Sequence, residues 1–224
     1  MFDYARHSEH PLALDRVKMP QMVIAKPYTR SLIKGLIDIC VVLLALPLVL
    51  VICGVAALAL LLLEGRPIMF RQERIGREGR SFSLYKLRTM APDSDARLQE
   101  ALAASAEMRA EWAATRKLRN DPRVTRLGRF LRTYSIDELP QVWNVVRGDM
   151  TLVGPRPIVR EEMSLYGRYM PIYCSVRPGL TGLWQVTGRN ETTYRRRVAM
   201  DVRYVRRASL LLDLWILLRT TSVL

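Results

Sequence analysis

Three short stretches of the chain carry residue types and spacings that could do chemistry. The first is Asp137-Glu138, set in Ser135-Ile136-Asp137-Glu138-Leu139-Pro140-Gln141 directly after a strongly basic run. Neighbours on a helix point about 100° apart, so adjacent carboxylates cannot flank one bond as the two acids of a glycoside hydrolase do. They can take different roles at one site, one toward a substrate and one toward a metal or a proton. The competing reading is a helix start, with Ser135 as N-cap, Glu138 closing a capping box and both acids favouring the helix dipole. Taken alone, the helix start is the stronger reading.

The second stretch is Gly154-Pro155-Arg156-Pro157, where two prolines hold an arginine in a stiff turn that loses little entropy on gripping an anion. An ordinary surface turn fits the same residues, and Asp149 just before it reads as a turn residue before a metal ligand. The third is Arg177-Pro178-Gly179-Leu180-Thr181-Gly182-Leu183-Trp184, which offers backbone amides beside an aromatic ring. That suits a nucleotide or a membrane-facing loop, and equally a glycine-rich corner with a core tryptophan. Gly76 and Gly79 form a weak G-x-x-G whose default meaning is a turn. The sequence has no phosphate-binding P-loop, dinucleotide fingerprint, nucleophile elbow or His/Cys metal cluster.

Composition narrows the chemistry. The 224 residues include 35 basic and 21 acidic side chains, a formal charge of +14. Half are hydrophobic, which excludes a wholly disordered chain. Three cysteines, two of them within an apolar run, make neither a disulfide framework nor a zinc site by spacing. His7 and His10 both fall in the N-terminal tail, so histidine triads are excluded from the body. Carboxylates, basic residues and backbone must do any chemistry. The cations are mostly arginine and cluster at 66–90, 116–132 and 195–207. Arginine favours bidentate contact with phosphate, so nucleic acid, anionic lipid and a nucleotide substrate all fit, as does a plain solvated surface.

The elements that must position these groups begin at the membrane. Residues 39–63, between Asp38 and Glu64, carry no charge, and about 20 apolar residues cross a bilayer core. The stretch starts too deep and runs too long for a cleavable signal peptide. Pro47 interrupts it and Gly54 loosens it. Cations flank both ends, Arg30 and Lys34 before it and Arg66, Arg71 and Arg74 after, whereas a single span concentrates them on one side. A bent helix returning to the same leaflet and a kinked spanning helix stand level, and the bulk faces the cytoplasm in both. Residues 94–119 read as one amphipathic helix, with Asp93 or Ser94 as N-cap. Residues 209–218, apolar around Asp213 with Trp215 near the centre, are too short to span and read as an interfacial or a core helix. The expected organisation is a poorly ordered tail (1–30), a membrane helix anchor (31–65) and a mostly helical α+β domain in the cytosol (66–224).

The ordered series Phe70-Arg71-Gln72-Glu73-Arg74-Ile75-Gly76, Tyr85-Lys86-Leu87-Arg88-Thr89-Met90, Asp137-Glu138-Leu139-Pro140-Gln141, Gly154-Pro155-Arg156-Pro157 and Arg177-Pro178-Gly179-Leu180-Thr181-Gly182 resembles the bacterial sugar transferases, monotopic polyprenyl-phosphate phosphoglycosyl transferases. The likeness runs from about Arg30 to the C-terminus and is closest to the family's short form. Trp112-Ala113-Ala114-Thr115-Arg116-Lys117-Leu118 with Asp121-Pro122-Arg123-Val124-Thr125 is similar to its exopolysaccharide galactose-phosphate branch.

The resemblance implies transfer of a hexose-1-phosphate from a UDP-sugar to undecaprenyl phosphate, with Mg²⁺ and release of UMP, at the cytoplasmic face of the bacterial inner membrane. Galactose is the first expectation and glucose the second. It makes Asp137 the nucleophile and a metal ligand, and Glu138 its catalytic partner. Arg156, Lys86 and Arg88 become phosphate-binding residues, and Pro155, Pro157, Arg177 and Gly179 the substrate loop. It also turns the apolar segment into a re-entrant helix broken at Pro47, although Leu46 stands where a serine is common and cannot bond back to a freed carbonyl. Amphipathic interfacial helices complete the expected fold. Membrane lipid is an implied partner, a homodimer is compatible, and nucleic acid is not expected because Asp137-Glu138 would repel its phosphates. A membrane-tethered basic binding protein and a structural membrane subunit are the alternatives, and neither explains an acidic pair inside a basic field.

Overall fold

The computed structural model of the chain describes residues 26–115, 118–188 and 193–223. Most of the expected N-terminal tail, together with Arg116 and Lys117 of the galactose-branch motif, lies outside these residues.

The described chain is mostly helical, with two small sheets. Helix α1 (Leu32–Glu64) carries the apolar segment, and the Ser31 hydroxyl caps it by accepting from the Lys34 amide at 3.2 Å. Pro47 lies within it. It is long and apolar enough to cross a membrane. Its buried residues Lys34, Asp38, Val42, Ala56 and Leu60, with Val49 packed on the main core between them, recur by fours and sevens and so form one stripe. Leu44, Leu48, Val51, Val55 and Leu62 point away, exposed. Both ends of α1 are tied to the same body. Lys34 pairs with Asp213, and Asp38 accepts from the Thr151 hydroxyl, at the start. At the end, Arg88 donates to the carbonyls of Glu64 and Gly65 at 3.0 and 3.2 Å. Those are orphan carbonyls of a helix C-terminus, and a cation suits that end of the dipole.

Strands β1 (Met69–Ile75) and β2 (Ser81–Leu87) form an antiparallel hairpin in which Arg74 faces Phe82, Gln72 faces Leu84 and Phe70 faces Lys86. The long helix expected over 94–119 is two helices, α2 (Ser94–Ala104) and α3 (Ala106–Thr115). Ser105 breaks it: its backbone is extended and its hydroxyl accepts from the Met108 amide at 3.2 Å, capping α3. Asp93 is the N-cap position of α2, yet its carboxylate receives Arg97 instead of a backbone amide.

Helix α4 (Arg126–Thr133) leads into a 3-10 segment, Ile136–Gln141, and then α5 (Val142–Val146). Strand β3 (Thr151–Val153) pairs in parallel with β4 (Gly179–Thr181), so the two Gly-Pro-punctuated segments lie side by side. Between them run the short helices α6 (Met163–Tyr166) and α7 (Met170–Cys174). Helices α8 (Leu183–Gly188), α9 (Tyr194–Arg207) and α10 (Leu210–Val223) close the chain. The main core joins Leu84, Val142, Met150, Val153, Ile158, Tyr173 and Tyr204 to Val42 of α1 and Ile216 of α10. Helix α10 is thus core on one face and, at Leu211, Trp215 and Leu218, exposed apolar surface on another, so each expectation for 209–218 describes one face.

Candidate active site

The acidic pair is delivered by a backbone inversion. Helix α4 is capped by the Thr125 hydroxyl, which accepts from the Gly128 amide at 2.8 Å, and ends at Thr133, two residues before Ser135. Ser135 then adopts the left-handed conformation (φ 54°), and the chain continues as the 3-10 turn that carries Asp137 and Glu138. The capping box expected at Ser135 does not form, because a left-handed residue cannot aim its hydroxyl as an N-cap does. A serine in this region costs about 1 kcal/mol, and such strain concentrates at functional sites.

Asn144 of α5 locks this turn against β2. Fully buried, it donates to the Ser83 carbonyl at 2.8 Å and accepts from the Tyr85 amide at 3.3 Å. Lys86, next along the strand, meets the pair: its ammonium lies 2.5 Å from Glu138 Oε1 and 3.9 Å from Asp137 Oδ2. The Asp137 side chain is only 9% exposed, whereas Glu138 is 38% exposed. Burial raises the Asp137 pKa; Lys86 opposes that, Glu138 adds to it and Arg132 opposes it. A carboxylate stripped of water yet kept ionisable by two cations is a competent nucleophile.

Opposite lies the Pro155-Arg156-Pro157 turn. The Gly179 amide donates to the Pro155 carbonyl at 2.8 Å and Arg74 to the Pro157 carbonyl at 2.9 Å. The Ile158 amide donates to the Tyr173 hydroxyl, which itself donates to the Ile75 carbonyl at 2.7 Å. A Cβ on Gly179 would sit 2.1 Å from the Gly154 nitrogen, so only glycine allows this approach. The cleft between turn and dyad is lined by Arg74, Lys86, Glu138, Gln141, Arg156, Pro157 and Gln185, with Leu84 and Leu180. Asp137 is not part of this lining and lies 3.9 Å from the Lys86 ammonium.

Of the residues singled out from sequence, Lys86, Glu138, Arg156 and Pro157 thus meet in one cleft beside Asp137. Pro155 and Gly179 bond each other in its wall. Arg88 is elsewhere, buried at the end of α1 and occupied with Glu64 and Gly65. The Arg177 guanidinium lies beside Gly148 and outside the cleft lining, while its carbonyl packs on Gly154. Pro47 belongs to α1, remote in sequence from every lining residue.

Sequence reasoning did not single out Arg74, Arg132, Gln141 or Gln185. Arg74 and Gln141 fall within stretches that were noticed, but nothing local says that Arg74 reaches a carbonyl 83 positions away. Among the described residues no group of three or more His, Cys, Asp or Glu gathers around a point. At the cleft, the carboxylates that could hold a cation are Asp137 and Glu138, which Lys86 already faces. A pair of carboxylates is a donor set of the kind that Mg²⁺ accepts, since that ion keeps several waters and takes one or two carboxylates plus substrate phosphates.

The bacterial sugar transferase pattern matches residues 29–224. The chain is 49% identical over 159 residues to the UDP-galactose-lipid carrier transferase of Erwinia amylovora, covering 71% of this chain and 33% of that protein. It is 44% identical over 187 residues to the exopolysaccharide production protein ExoY of Sinorhizobium fredii, covering 82% and 81% respectively. It is 48% identical over 160 residues to the undecaprenyl-phosphate galactose phosphotransferase of Salmonella typhimurium, covering 71% and 34%. The chain therefore spans about a third of the first and last of these relatives and most of the second. With the match running across α1, the Asp137-Glu138 pair and the Pro-Arg-Pro turn alike, the chain belongs to the bacterial sugar transferase family.

Proposed function

We propose that the chain transfers hexose-1-phosphate from a UDP-sugar to undecaprenyl phosphate, an opening membrane step of exopolysaccharide assembly. The observation that carries this reading is a buried carboxylate, Asp137, beside Lys86 and Glu138 at a cleft whose other cations are Arg74 and Arg156. An Asp137 oxygen attacks the β-phosphorus of the donor. A phosphorus–oxygen bond to the carboxylate forms as the bond to the bridging oxygen breaks, and UMP leaves with that oxygen and its electron pair. A phosphate oxygen of the lipid then attacks the same phosphorus and Asp137 is released. Two displacements replace one, so a soluble donor and a lipid acceptor use one site in turn.

Arg156 and Arg74 counter charge on the phosphates as it redistributes, Arg156 from a turn already rigid before substrate arrives. Glu138, less buried and paired with Lys86, holds or moves the proton and screens Asp137 from that cation between turnovers. Asp137 and Glu138 are the residues that would hold Mg²⁺, which supplies charge neutralisation at the diphosphate.

The anchor reading follows from α1. A helix with both ends held by one body, and with a single stripe on that body, supports a re-entrant or in-plane anchor in one leaflet. Such an anchor keeps the cleft at headgroup depth, where the lipid phosphate resides, with the enzyme on the cytoplasmic face of the inner membrane. The names of the Erwinia and Salmonella relatives favour galactose, with glucose second. The deciding experiment is UMP release from a panel of UDP-sugars with undecaprenyl phosphate and Mg²⁺, beside Asp137→Asn. Turnover of one donor that disappears in the variant supports the reading. No donor above the variant's background, across several lipid conditions, removes it.

A further inference from the structure

The cations that line the cleft are not held alike. Lys86 pairs with Glu138 at 2.5 Å, while Arg74 donates to the Pro157 carbonyl at 2.9 Å and to Gln72 Oε1 at 2.6 Å. The Arg156 guanidinium has neither a paired carboxylate nor a hydrogen-bond acceptor among the described residues. What it meets is an aromatic face: it lies over the Trp184 ring, 5.5 Å from the centroid. Arg197 of α9 lies over the same ring at 4.4 Å. The backbone sets this meeting up. Trp184 stands in the first turn of α8, and Gly182 just before that helix packs on Gly154, where the Arg156 turn begins. A Cβ on Gly182 would sit 2.3 Å from the Gly154 carbonyl oxygen, so only glycine lets α8 start against that turn. The Gly154 amide donates to the Thr181 carbonyl at 2.9 Å and closes the same junction. Trp184 is 6% exposed, and its indole nitrogen is buried without a hydrogen-bond partner. A buried tryptophan usually aims that N–H at an acceptor. Here no such bond fixes the ring, and its faces are what the two arginines use.

We propose that Trp184 is a positioning residue for Arg156: its indole is the platform that orients the guanidinium at the cleft and leaves its N–H donors free for a phosphate. This rests on the transferase reading above. An indole is the strongest cation–π partner among side chains, and the attraction grows as the pair loses water. It orients a guanidinium through its face, whereas a carboxylate would occupy the donors that a phosphate must reach. The prolines at 155 and 157 stiffen the backbone around Arg156 but leave its side-chain torsions free, and the ring restricts those. Arg197 brings a second positive charge to the same indole, so an anion arriving at Arg156 meets the field of both arginines. An error of about 1 Å in such a group costs on the order of 100-fold in rate, so even partial loss of the platform is readable in turnover.

The test is UMP release by the full chain in lipid, with graded changes to the ring. Fluorinated tryptophans placed at position 184 weaken the ring quadrupole stepwise while nearly keeping its shape. kcat/KM falls with each added fluorine, by about 10-fold in all for a trifluoro ring. Trp184→Phe, which keeps a weaker face, loses about 3-fold, and Trp184→Leu, apolar without a face, about 30-fold. In the Arg156→Ala background each of these losses shrinks to less than about 2-fold, which a general loss of packing would not do. If Trp184→Leu does not fold, the fluorinated series decides alone. Turnover that is flat across that series, or losses undiminished in the Arg156→Ala background, overturns the proposal and leaves Trp184 as packing. A wild-type chain without turnover would instead count against the transferase reading, so the two failures are distinguishable.

Discussion

Lys34, in the first turn of α1, and Asp213, on α10, form an ion pair of 2.5 Å with side chains 6% and 7% exposed. Around Asp213 the Tyr28 hydroxyl donates at 2.9 Å, and Tyr204 Oη lies 2.8 Å from Asp213 Oδ1 and 2.8 Å from the Val153 carbonyl. One carboxylate therefore joins α1, α10 and the strand that leads into the Arg156 turn. The long apolar helix and the site share a frame.

Lys34→Met leaves Asp213 buried without its cation, and breaking a buried pair on one side costs about 3–5 kcal/mol. The expected outcome is a large fall in thermal midpoint in detergent, with activity lost in parallel. The double variant Lys34→Met/Asp213→Leu, which removes both charges, recovers part of that midpoint. A single variant as stable as wild type would mean that this pair does not hold α1.

Lys86→Met tests the electrostatics of Asp137. Burial raises the Asp137 pKa and Lys86 is the foremost opposing influence, so removing it lets that pKa rise further. The acidic limb of the pH–rate profile moves to higher pH, and kcat at neutral pH falls by about 10²-fold as a charge contact is lost. Lys86→Arg keeps the charge and restores the limb. A limb that stays in place in Lys86→Met would show that Asp137 ionisation does not set it.

Ser135 provides a stability test with the opposite sign at one position. Its φ of 54° is unstrained only for glycine, so Ser135→Gly raises stability by up to about 1 kcal/mol and leaves turnover near wild type. Ser135→Val, β-branched, loses about 1–2 kcal/mol and turns over more slowly as the dyad shifts. Equal thermal midpoints for the two variants would remove strain from the account of this turn.

The legibility of the sequence was uneven for physical reasons. An acidic pair inside a basic run, an arginine between prolines and a charge-free segment are local facts, and each marks something in the structure. Ser-x-x-Glu, in contrast, is the same string in a capping box and in the turn observed. What decides is that α4 ends at Thr133 and Ser135 turns left-handed just after it, which no local pattern states. The stripe of α1 was hidden because both of its faces are apolar, so burial leaves no periodicity to read. Arg74 acts through a bond to backbone 83 positions away, Asp201 through the Tyr166 hydroxyl 35 positions away, and Arg88 looks like a phosphate ligand until the end of α1 is brought beside it. Pairings at that range belong to topology, here the parallel match of β3 with β4.

Asp201 also gives the fold a pH signature. Burial pushes its pKa from the usual 3.8 up to about 7, with Tyr166, Arg197 and Arg156 pulling it back. A raised carboxylate binds its proton more tightly folded than unfolded. Its contribution is then fully present below the unfolded pKa and is lost as pH rises through the folded one. Between roughly pH 4 and 7 the slope approaches the one-proton limit of about 1.4 kcal/mol per pH unit, and above that range it is flat. Asp201→Asn cannot take up this proton. The stability of wild type relative to that variant should therefore increase as pH falls from 7 toward 5, read as the difference in thermal midpoint across a buffer series. A difference that stays constant, or grows with rising pH, would mean that Asp201 is ionised throughout and that Arg156 and Arg197 outweigh its burial.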